Sequence, residues 1–246
     1  MDRLIYVAMT GAKNLMHKQE ILANNLANAN TTGFRADLNA LRAVPVQGQG
    51  MPTRVFVVES TPGNDFAQGP VQHTGSELDA VVNGAGWFAV EGLDGTEGYT
   101  RAGAFERGPE GLLQTRSGRP VLGEGGPITL PDNARIEIGS DGTVSAIAAD
   151  NSKSVSPVGR LKLVNPPEAD LVKGDDGLFR LRDGASAAAD PAVRLTGGAL
   201  EGSNVNVVET MIGMISLSRQ FEMQMKLLQE AQQNSASAGK LMSNSQ

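Results

Sequence analysis

Few residues in this chain have the types and spacings that catalytic and metal-binding sites use. Its two histidines, His17 and His73, are far apart and there is no cysteine, so the usual ligands of a zinc site are missing. The run Asp175-Asp176-Gly177 lacks the alternating acids and closing glutamate of a calcium loop, and predicts a turn. Gly84-Ala85-Gly86 lacks the third glycine and following helix of a dinucleotide site. We therefore expect no catalytic site, no metal and no cofactor.

Composition and charge argue against two further classes of function. The net charge is −6, and the basic residues form no dense cluster, so we expect no nucleic-acid binding. No apolar run approaches the roughly 20 residues that cross a bilayer, so we expect no direct membrane insertion. The apolar start, residues 4–9, is broken by Thr10 and Gly11 and is too short for a secretory signal. If the protein leaves the cytoplasm, we expect it to do so without a cleaved signal peptide.

Sustained helical periodicity is confined to the two ends, residues 2–30 and 205–234. The first segment carries leucines eleven residues apart, a spacing typical of a nearly straight helix. The second carries apolar residues at alternating steps of three and four, with another apolar stripe beside them, so its apolar face is wide enough for several neighbours. These patterns predict terminal helices that pair with each other, as in a coiled coil, and pack onto neighbouring subunits. The residues predicted to pack are Leu4, Leu15, Leu22, Leu26, Met211, Ile215, Phe221, Met225 and Leu228.

The N-terminal helix runs into an asparagine-rich segment, residues 23–35. Asparagine is a poor helix former but a good hydrogen-bonding residue, and asparagine and glycine both tolerate positive φ. The stretch from Asn30 to Gly33 therefore predicts a helix exit with a tight turn. Asn24, Asn25 and Asn28 are candidates for polar contacts between subunits.

The middle of the chain has the pattern of strands and turns. Residues 36–75 include a stretch rich in proline, glycine and glutamine and predict an extended linker with one short strand. Residues 76–203 alternate short apolar runs with Asp-Gly turn signals, which is typical of a β domain. The sequence thus predicts an α+β fold with four segments: helix 1–35, linker 36–75, an all-β domain 76–203 and helix 204–246.

Several of these stretches resemble a known family. Residues 23–35, 78–90 and 99–123, the Asn204–Glu209 segment and the run Arg219-Gln220-Phe221-Glu222 are similar to motifs of bacterial flagellar axial proteins, the family of the rod, hook and hook-associated proteins. The opening residues 1–11 are most similar to proximal-rod members.

The resemblance implies a structural subunit of the flagellar rod, the drive shaft that crosses the periplasm. In this family the terminal helices pair in an inner tube and the strands form an outer β domain. It implies that the partners are other rod proteins and further copies of the chain. It also implies export through the flagellar type III apparatus, which accepts unfolded chains and cleaves no signal.

Two alternatives stay open. Within the same family the chain could be a distal-rod or hook subunit. Outside it, the chain could be a secreted β-rich binding or carbohydrate-active module whose helices serve dimerisation. The chain has only one tryptophan and two tyrosines, so it has few of the aromatic side chains that form a sugar-binding platform.

Overall fold

Two helices bracket a long series of short strands in the computed structural model, which describes residues 2–45, 55–132, 134–148 and 155–243. This order of elements confirms the predicted α+β class with a mostly β middle.

The chain divides into two compact units, each built from segments that are distant in sequence. Unit 1 comprises Met1–Ala29, Ala36–Asp65 and Val205–Gln246, and unit 2 comprises Asn30–Arg35 and Phe66–Asn204. The backbone therefore passes between the units four times, after residues 29, 35, 65 and 204.

Unit 1 contains both helices and one strand pair. Its elements are α1 (Asp2–Ala27), β1 (Asp37–Pro45), β2 (Val55–Asn64) and α2 (Val207–Ser243). The two strands are antiparallel, with Asp37 opposite Asn64 and a register shift between Leu38 and Ala40. They lie within the stretch for which the sequence predicted an extended linker. Residues 46–54 of that stretch lie outside the described residues.

Helix α2 begins at a side-chain cap. The Oδ1 atom of Asn206 accepts hydrogen bonds from the backbone N–H groups of Val208, at 3.1 Å, and Glu209, at 3.2 Å. N–H groups in the first turn of a helix have no acceptor within the helix, and the Asn206 side chain supplies one for these two. The structure thus assigns the N-cap of α2 to Asn206.

We expect Asn206→Ala to loosen the first turn of α2. Loss of an N-cap typically costs about 1 kcal/mol, which corresponds to roughly fivefold faster exchange of the amide protons in that turn. Hydrogen exchange at residues 207–210 measures the effect. Asn206→Asp, which keeps the accepting oxygen, is the control, and equal exchange in the two variants would contradict the capping role.

Unit 2 consists of short antiparallel strands and one 3₁₀ turn at Glu168–Asp170. The strands are β3 (Val71–His73), β4 (Ala80–Asn83), β5 (Trp87–Glu91), β6 (Glu97–Thr100), β7 (Phe105–Arg107), β8 (Leu113–Thr115), β9 (Leu122–Gly123), β10 (Gly126–Pro127), β11 (Ala134–Ile138), β12 (Thr143–Ala148), β13 (Val155–Arg160), β14 (Leu163–Val164), β15 (Leu171–Lys173), β16 (Phe179–Leu181), β17 (Arg194–Gly197) and β18 (Ala199–Glu201).

The largest sheet of unit 2 has five strands in the order β14-β5-β6-β16-β15, and a second has three in the order β11-β12-β13. The remaining strands form the pairs β17-β4, β18-β3, β7-β8 and β10-β9. The Asp141-Gly142 turn signal connects β11 to β12, with Gly142 at φ 87° and the Asp141 carboxylate accepting from the Thr143 N–H at 3.0 Å. The last strand, β18, pairs with the first, β3, so the ends of the strand series meet.

The core of unit 2 is mainly aliphatic, as expected from a chain with only 4% aromatic residues. Phe88 meets Phe105 edge to face at 5.1 Å between ring centroids, and both are buried among valine, leucine and isoleucine side chains. A second cluster gathers Phe66, Trp87 and Phe179, with centroid distances of 4.8 to 6.0 Å. The single tryptophan therefore reports on the interior of unit 2.

Candidate assembly surfaces and a buried charge cluster

The leucines predicted to pack from α1 are half-buried where the structure describes them. Leu15, Leu22 and Leu26 are each partly covered, while Met9 and Met16 on the same helix are 56% and 52% exposed. Leu4 lies in α1, but its side chain is outside the described part of the chain. The predicted stripe is thus the less exposed side of the helix as far as it is described.

The predicted residues of α2 fall into two groups. Phe221 and Leu228 are half-buried, whereas Met211, Ile215 and Met225 are 48%, 57% and 39% exposed. The structure therefore brings only part of this set into the interior of unit 1. The rest lies on the surface of the protomer.

The exposed face of α2 is apolar at its start and charged farther on. Val208, Met211, Ile212 and Ile215 follow one another at helical spacing, and Val208 and Ile212 are 66% and 62% exposed. Beyond Ile215 the same face continues with exposed Arg219, Glu222, Lys226 and Glu230. Exposed apolar side chains grouped in this way are typical of a contact surface. We refer to residues 208, 211, 212 and 215 as the α2 apolar patch.

The asparagines at the end of α1 make bonds within the chain. Asn25 is buried, its Nδ2 donates to the carbonyl of Asp37 at 2.9 Å, and its Oδ1 accepts from the Asp37 N–H at 2.8 Å. Asn28 donates from Nδ2 to the carbonyl of Asn24 at 3.0 Å. The structure thus gives Asn25 the role of joining the end of α1 to the start of β1. Contacts of Asn24, Asn25 and Asn28 with other subunits stay a prediction.

Sequence reasoning missed a buried charge cluster in unit 2. The carboxylate of Glu201 in β18 lies between two guanidinium groups, with Arg35 Nη1 at 2.5 Å from Oε1 and Arg101 Nη1 at 3.2 Å from Oε2. Oε1 also accepts from the Gly69 N–H at 3.0 Å. Glu201, Arg35 and Arg101 are 1%, 1% and 5% exposed. We call these three residues the Glu201 cluster.

The electrostatics of the cluster follow from its burial. Burial lowers the pKa of Arg101 to about 10, while the charge of Glu201 opposes the shift, so this arginine is still cationic at neutral pH. Arg101 also donates to the carbonyls of Val82, at 3.2 Å, and of Gly84. The Trp87 ring lies 5.8 Å from Arg35 Cζ and 5.4 Å from Arg101 Cζ, a distance at which the ring face attracts a cation. One carboxylate and one ring thus stabilise two buried cations.

The described residues contain neither a candidate metal-binding group nor a helix that could span a membrane. Among them, no group of three or more His, Cys, Asp or Glu side chains has the geometry to hold a metal ion. Neither helix, over its described length, has a stretch apolar and long enough to cross a membrane.

Three family models match successive parts of the chain. Residues 5–35 match a model described as flagella basal body rod protein, and residues 81–146 match the flagellar hook protein FlgE/F/G D1 domain. Residues 196–241 match the flagellar basal body rod FlgEFG protein C-terminal model. The first match contains Leu15, Leu22 and Leu26 but not Leu4, and the last contains all the α2 residues predicted to pack.

Whole-chain relatives carry the same description. The chain is 49% identical over 250 residues to the flagellar basal-body rod protein FlgF of Salmonella typhimurium, with 99% of each chain covered. It is 34% identical over 245 residues to the FlgF of Caulobacter vibrioides, with 97% of each covered. A FlgG rod protein of Agrobacterium fabrum is 32% identical, with 93% of this chain and 95% of that one covered. This chain therefore belongs to the family of flagellar basal-body rod proteins, which are structural rather than enzymatic, and is most like its FlgF members.

Proposed function

We propose that this chain, a structural subunit of the flagellar basal-body rod, forms part of the proximal rod by pairing α1 with α2 in an inner tube. The observation that carries the proposal is the 49% identity to a FlgF rod protein over 99% of both chains. The weaker FlgG match, at 32%, is the support for the runner-up, a distal-rod or hook subunit. Labelling the protein in purified basal bodies and imaging its position separates the two.

Two close approaches within unit 1 support the pairing of the helices. A Cβ atom on Gly11 would lie 3.1 Å from Nε2 of Gln224, and one on Gly213 would lie 3.0 Å from Cδ1 of Leu22. Glycine at both positions leaves room for a side chain of the other helix. Along α2, Thr210 is buried, and Leu217, Phe221 and Leu228 are half-buried, at successive steps of seven, four and seven residues. This spacing is that of a helix seam.

The α2 apolar patch is the surface that we assign to neighbouring subunits, both further copies of this chain and other rod proteins. An amphipathic helix that covers only one side in the protomer gains free energy when a neighbour covers the other. Contacts between unlike surfaces generate a helical assembly when the rotation between successive subunits does not close a ring, and we propose that arrangement here. In this proposal residues 76–203 form the outer domain of the subunit, and residues 1–35 and 204–246 its axial part.

We further propose that the chain reaches the rod, which crosses the periplasm, through the flagellar type III apparatus. Membership in the rod family supports this route. Mass spectrometry of the protein from purified basal bodies checks it. An N-terminus shortened by signal peptidase would contradict it.

The tube-packing proposal predicts that Leu15→Asp/Leu22→Asp abolishes swimming when it replaces the native gene. Two carboxylates would then occupy half-buried apolar positions of α1, where their desolvation costs several kcal/mol in all. Swimming in soft agar and electron microscopy of basal bodies are the measurements. The control is Gln19→Asp/Ala23→Asp, which adds the same charge at exposed positions of the same helix. Normal rods in the leucine variant would refute the proposal.

A further inference from the structure

Three separate segments of the chain run together at Glu201. Residues 30–35 follow α1, residues 66–70 follow β2, and residues 199–204 precede α2, and all three belong to unit 2. They are the segments by which the chain enters and leaves this unit. Contacts among these three segments therefore fix the positions at which the chain enters and leaves unit 2.

Backbone hydrogen bonds link these segments side by side. The N–H of Gly33 donates to the carbonyl of Glu201 at 2.8 Å, and the N–H of Asn204 donates to the carbonyl of Phe34 at 3.4 Å. On the other side, the N–H of Gly202 donates to the carbonyl of Pro70 at 2.8 Å. The side chain of Glu201 adds the bonds to Arg35 and to Gly69 N–H, so one residue joins all three segments.

The approach of these backbones requires glycine. Gly33 has φ 68°, and a Cβ atom there would lie 2.3 Å from the carbonyl carbon of Arg101. A Cβ atom on Gly69 would lie 2.2 Å from the carbonyl oxygen of Gly202. Both distances are far shorter than a nonbonded contact allows. Residues 66–70 therefore lie in direct backbone contact with residues 199–204, and Gly33 packs against the backbone of Arg101, a member of the Glu201 cluster.

The two arginines depend on Glu201 to different degrees. Arg101 keeps the carbonyls of Val82 and Gly84 as partners if Glu201 loses its charge. Arg35 has the Glu201 carboxylate as its ion-pair partner, at 2.5 Å, and otherwise lies near the Trp87 ring. A buried cation without its counter-ion is strongly unfavourable, so Arg35 and its segment would be the part that moves.

We infer that Glu201 is a positioning residue for rod assembly, which through Arg35 holds the segment following α1 against the segment preceding α2. The inference rests on the proposed function for its link to the rod. It assigns Glu201 a role distinct from the stability of the sheets, because the two hydrophobic clusters of unit 2 do not include it. Lys173 also contacts this segment, through the Arg35 carbonyl at 3.3 Å and the Phe34 ring, but the buried side chain of Arg35 has its ion pair with Glu201.

Hydrogen exchange on the purified full-length Glu201→Gln variant tests the inference. The glutamine keeps the shape and one acceptor but removes the charge. We expect exchange at residues 31–35 to quicken by a factor on the order of ten or more, with β5 and β6 unchanged. Fluorescence of the single Trp87 should change as well, because Arg35 moves away from its ring. Glu97→Gln, which breaks the 2.7 Å ion pair of Glu97 with Lys162 elsewhere in unit 2, is the control and should leave residues 31–35 protected.

A second pair of variants keeps the inference testable if Glu201→Gln does not fold. Arg35→Gln removes the ion pair between residue 35 and Glu201, but the charge of Glu201 is still neutralised by Arg101. Unit 2 should therefore fold, while the amides of residues 31–35 lose their protection against hydrogen exchange. Arg35→Lys retains the cation and should recover part of the protection. Unchanged exchange at residues 31–35 in Arg35→Gln would overturn the inference, as would loss of protection throughout unit 2.

The link to assembly is measured separately, by swimming of a strain in which each variant replaces the native gene. Arg35→Gln should swim poorly and Arg35→Lys better. Normal swimming by variants whose residues 31–35 are unprotected would overturn the assembly role of Glu201. If deletion of the native gene itself left swimming intact, the proposed rod function would fail, and the exchange result would still decide whether Glu201 orders the segment.

Discussion

Gly103→Ala is expected to unfold unit 2 or to destabilise it by about 3 kcal/mol or more, at the upper end of what overpacking a core costs. A Cβ atom at this position would lie 1.7 Å from the carbonyl oxygen of Ala80 and 3.1 Å from Cε2 of Phe88. The N–H of Ala80 donates to the carbonyl of Gly103 at 2.9 Å, so the two backbones cannot separate without losing that bond. Ala80 and Phe88 are both 0% exposed, so neither can move into solvent.

Urea unfolding followed by Trp87 fluorescence measures the effect, since this tryptophan lies in the affected unit. The matched control is Gly125→Ala. A Cβ atom on Gly125 meets nothing within 4 Å and its φ is not in the left-handed region, so the free energy of unfolding should change by less than about 0.5 kcal/mol. Coincident unfolding curves for the two variants would contradict the prediction, because they would show that the Ala80 backbone in β4 accommodates a side chain at residue 103.

Ile212→Asp/Ile215→Asp is expected to abolish incorporation into the rod while leaving the protomer as stable as before. The two isoleucines are 62% and 57% exposed, so their replacement should change the free energy of unfolding by no more than about 0.5 kcal/mol each. In an assembled rod the same positions would place two carboxylates in an apolar contact. Each lost isoleucine contact removes up to about 1.5–3 kcal/mol of burial, and the buried charge adds to that cost.

The measurements are the amount of the protein in purified basal bodies and the unfolding curve of the isolated chain. The control variant, Ser216→Asp/Gln220→Asp, adds the same charge at exposed polar positions of α2. Rods of normal composition in the isoleucine variant would refute the assignment of the α2 apolar patch to neighbouring subunits.

The helices and turns could be predicted from the sequence because their causes are local. Helical periodicity predicted residues 2–30 and 205–234, and the structure has α1 at Asp2–Ala27 and α2 at Val207–Ser243. The end of α2 differs most. The sustained periodicity ends at residue 234, but the helix continues because alanines, Lys240 and Leu241 favour it and the one glycine at 239 does not stop it.

The Glu201 cluster could not be predicted because its cause is not local. Arg35 and Glu201 are 166 residues apart, and neither stands in a pattern whose period points to the other. Arg35 ends the asparagine-rich segment, and Glu201 lies near the end of the predicted β domain. The apolar faces of helices and the turns can be identified from local sequence. A buried ion pair instead depends on which distant strands pair, here β18 with β3.

The surface of α2 illustrates a second limit. The sequence shows two adjacent apolar stripes on this helix, and periodicity alone does not say which of them is covered within the protomer. The structure half-buries Phe221 and Leu228 and exposes Ile212 and Ile215. The set of packing residues predicted from the sequence therefore mixed an inner and an outer face.

The four passages of the backbone between the units have a mechanical consequence for a structural subunit of the flagellar rod. A domain inserted by a single connection would transmit any pull through one strand of backbone. Here a force applied to unit 1 is shared among the crossings after residues 29, 35, 65 and 204. Two of these bound the short excursion Asn30–Arg35, whose buried arginine anchors it within unit 2. A load between the units would thereby be divided among four backbone connections rather than carried by one.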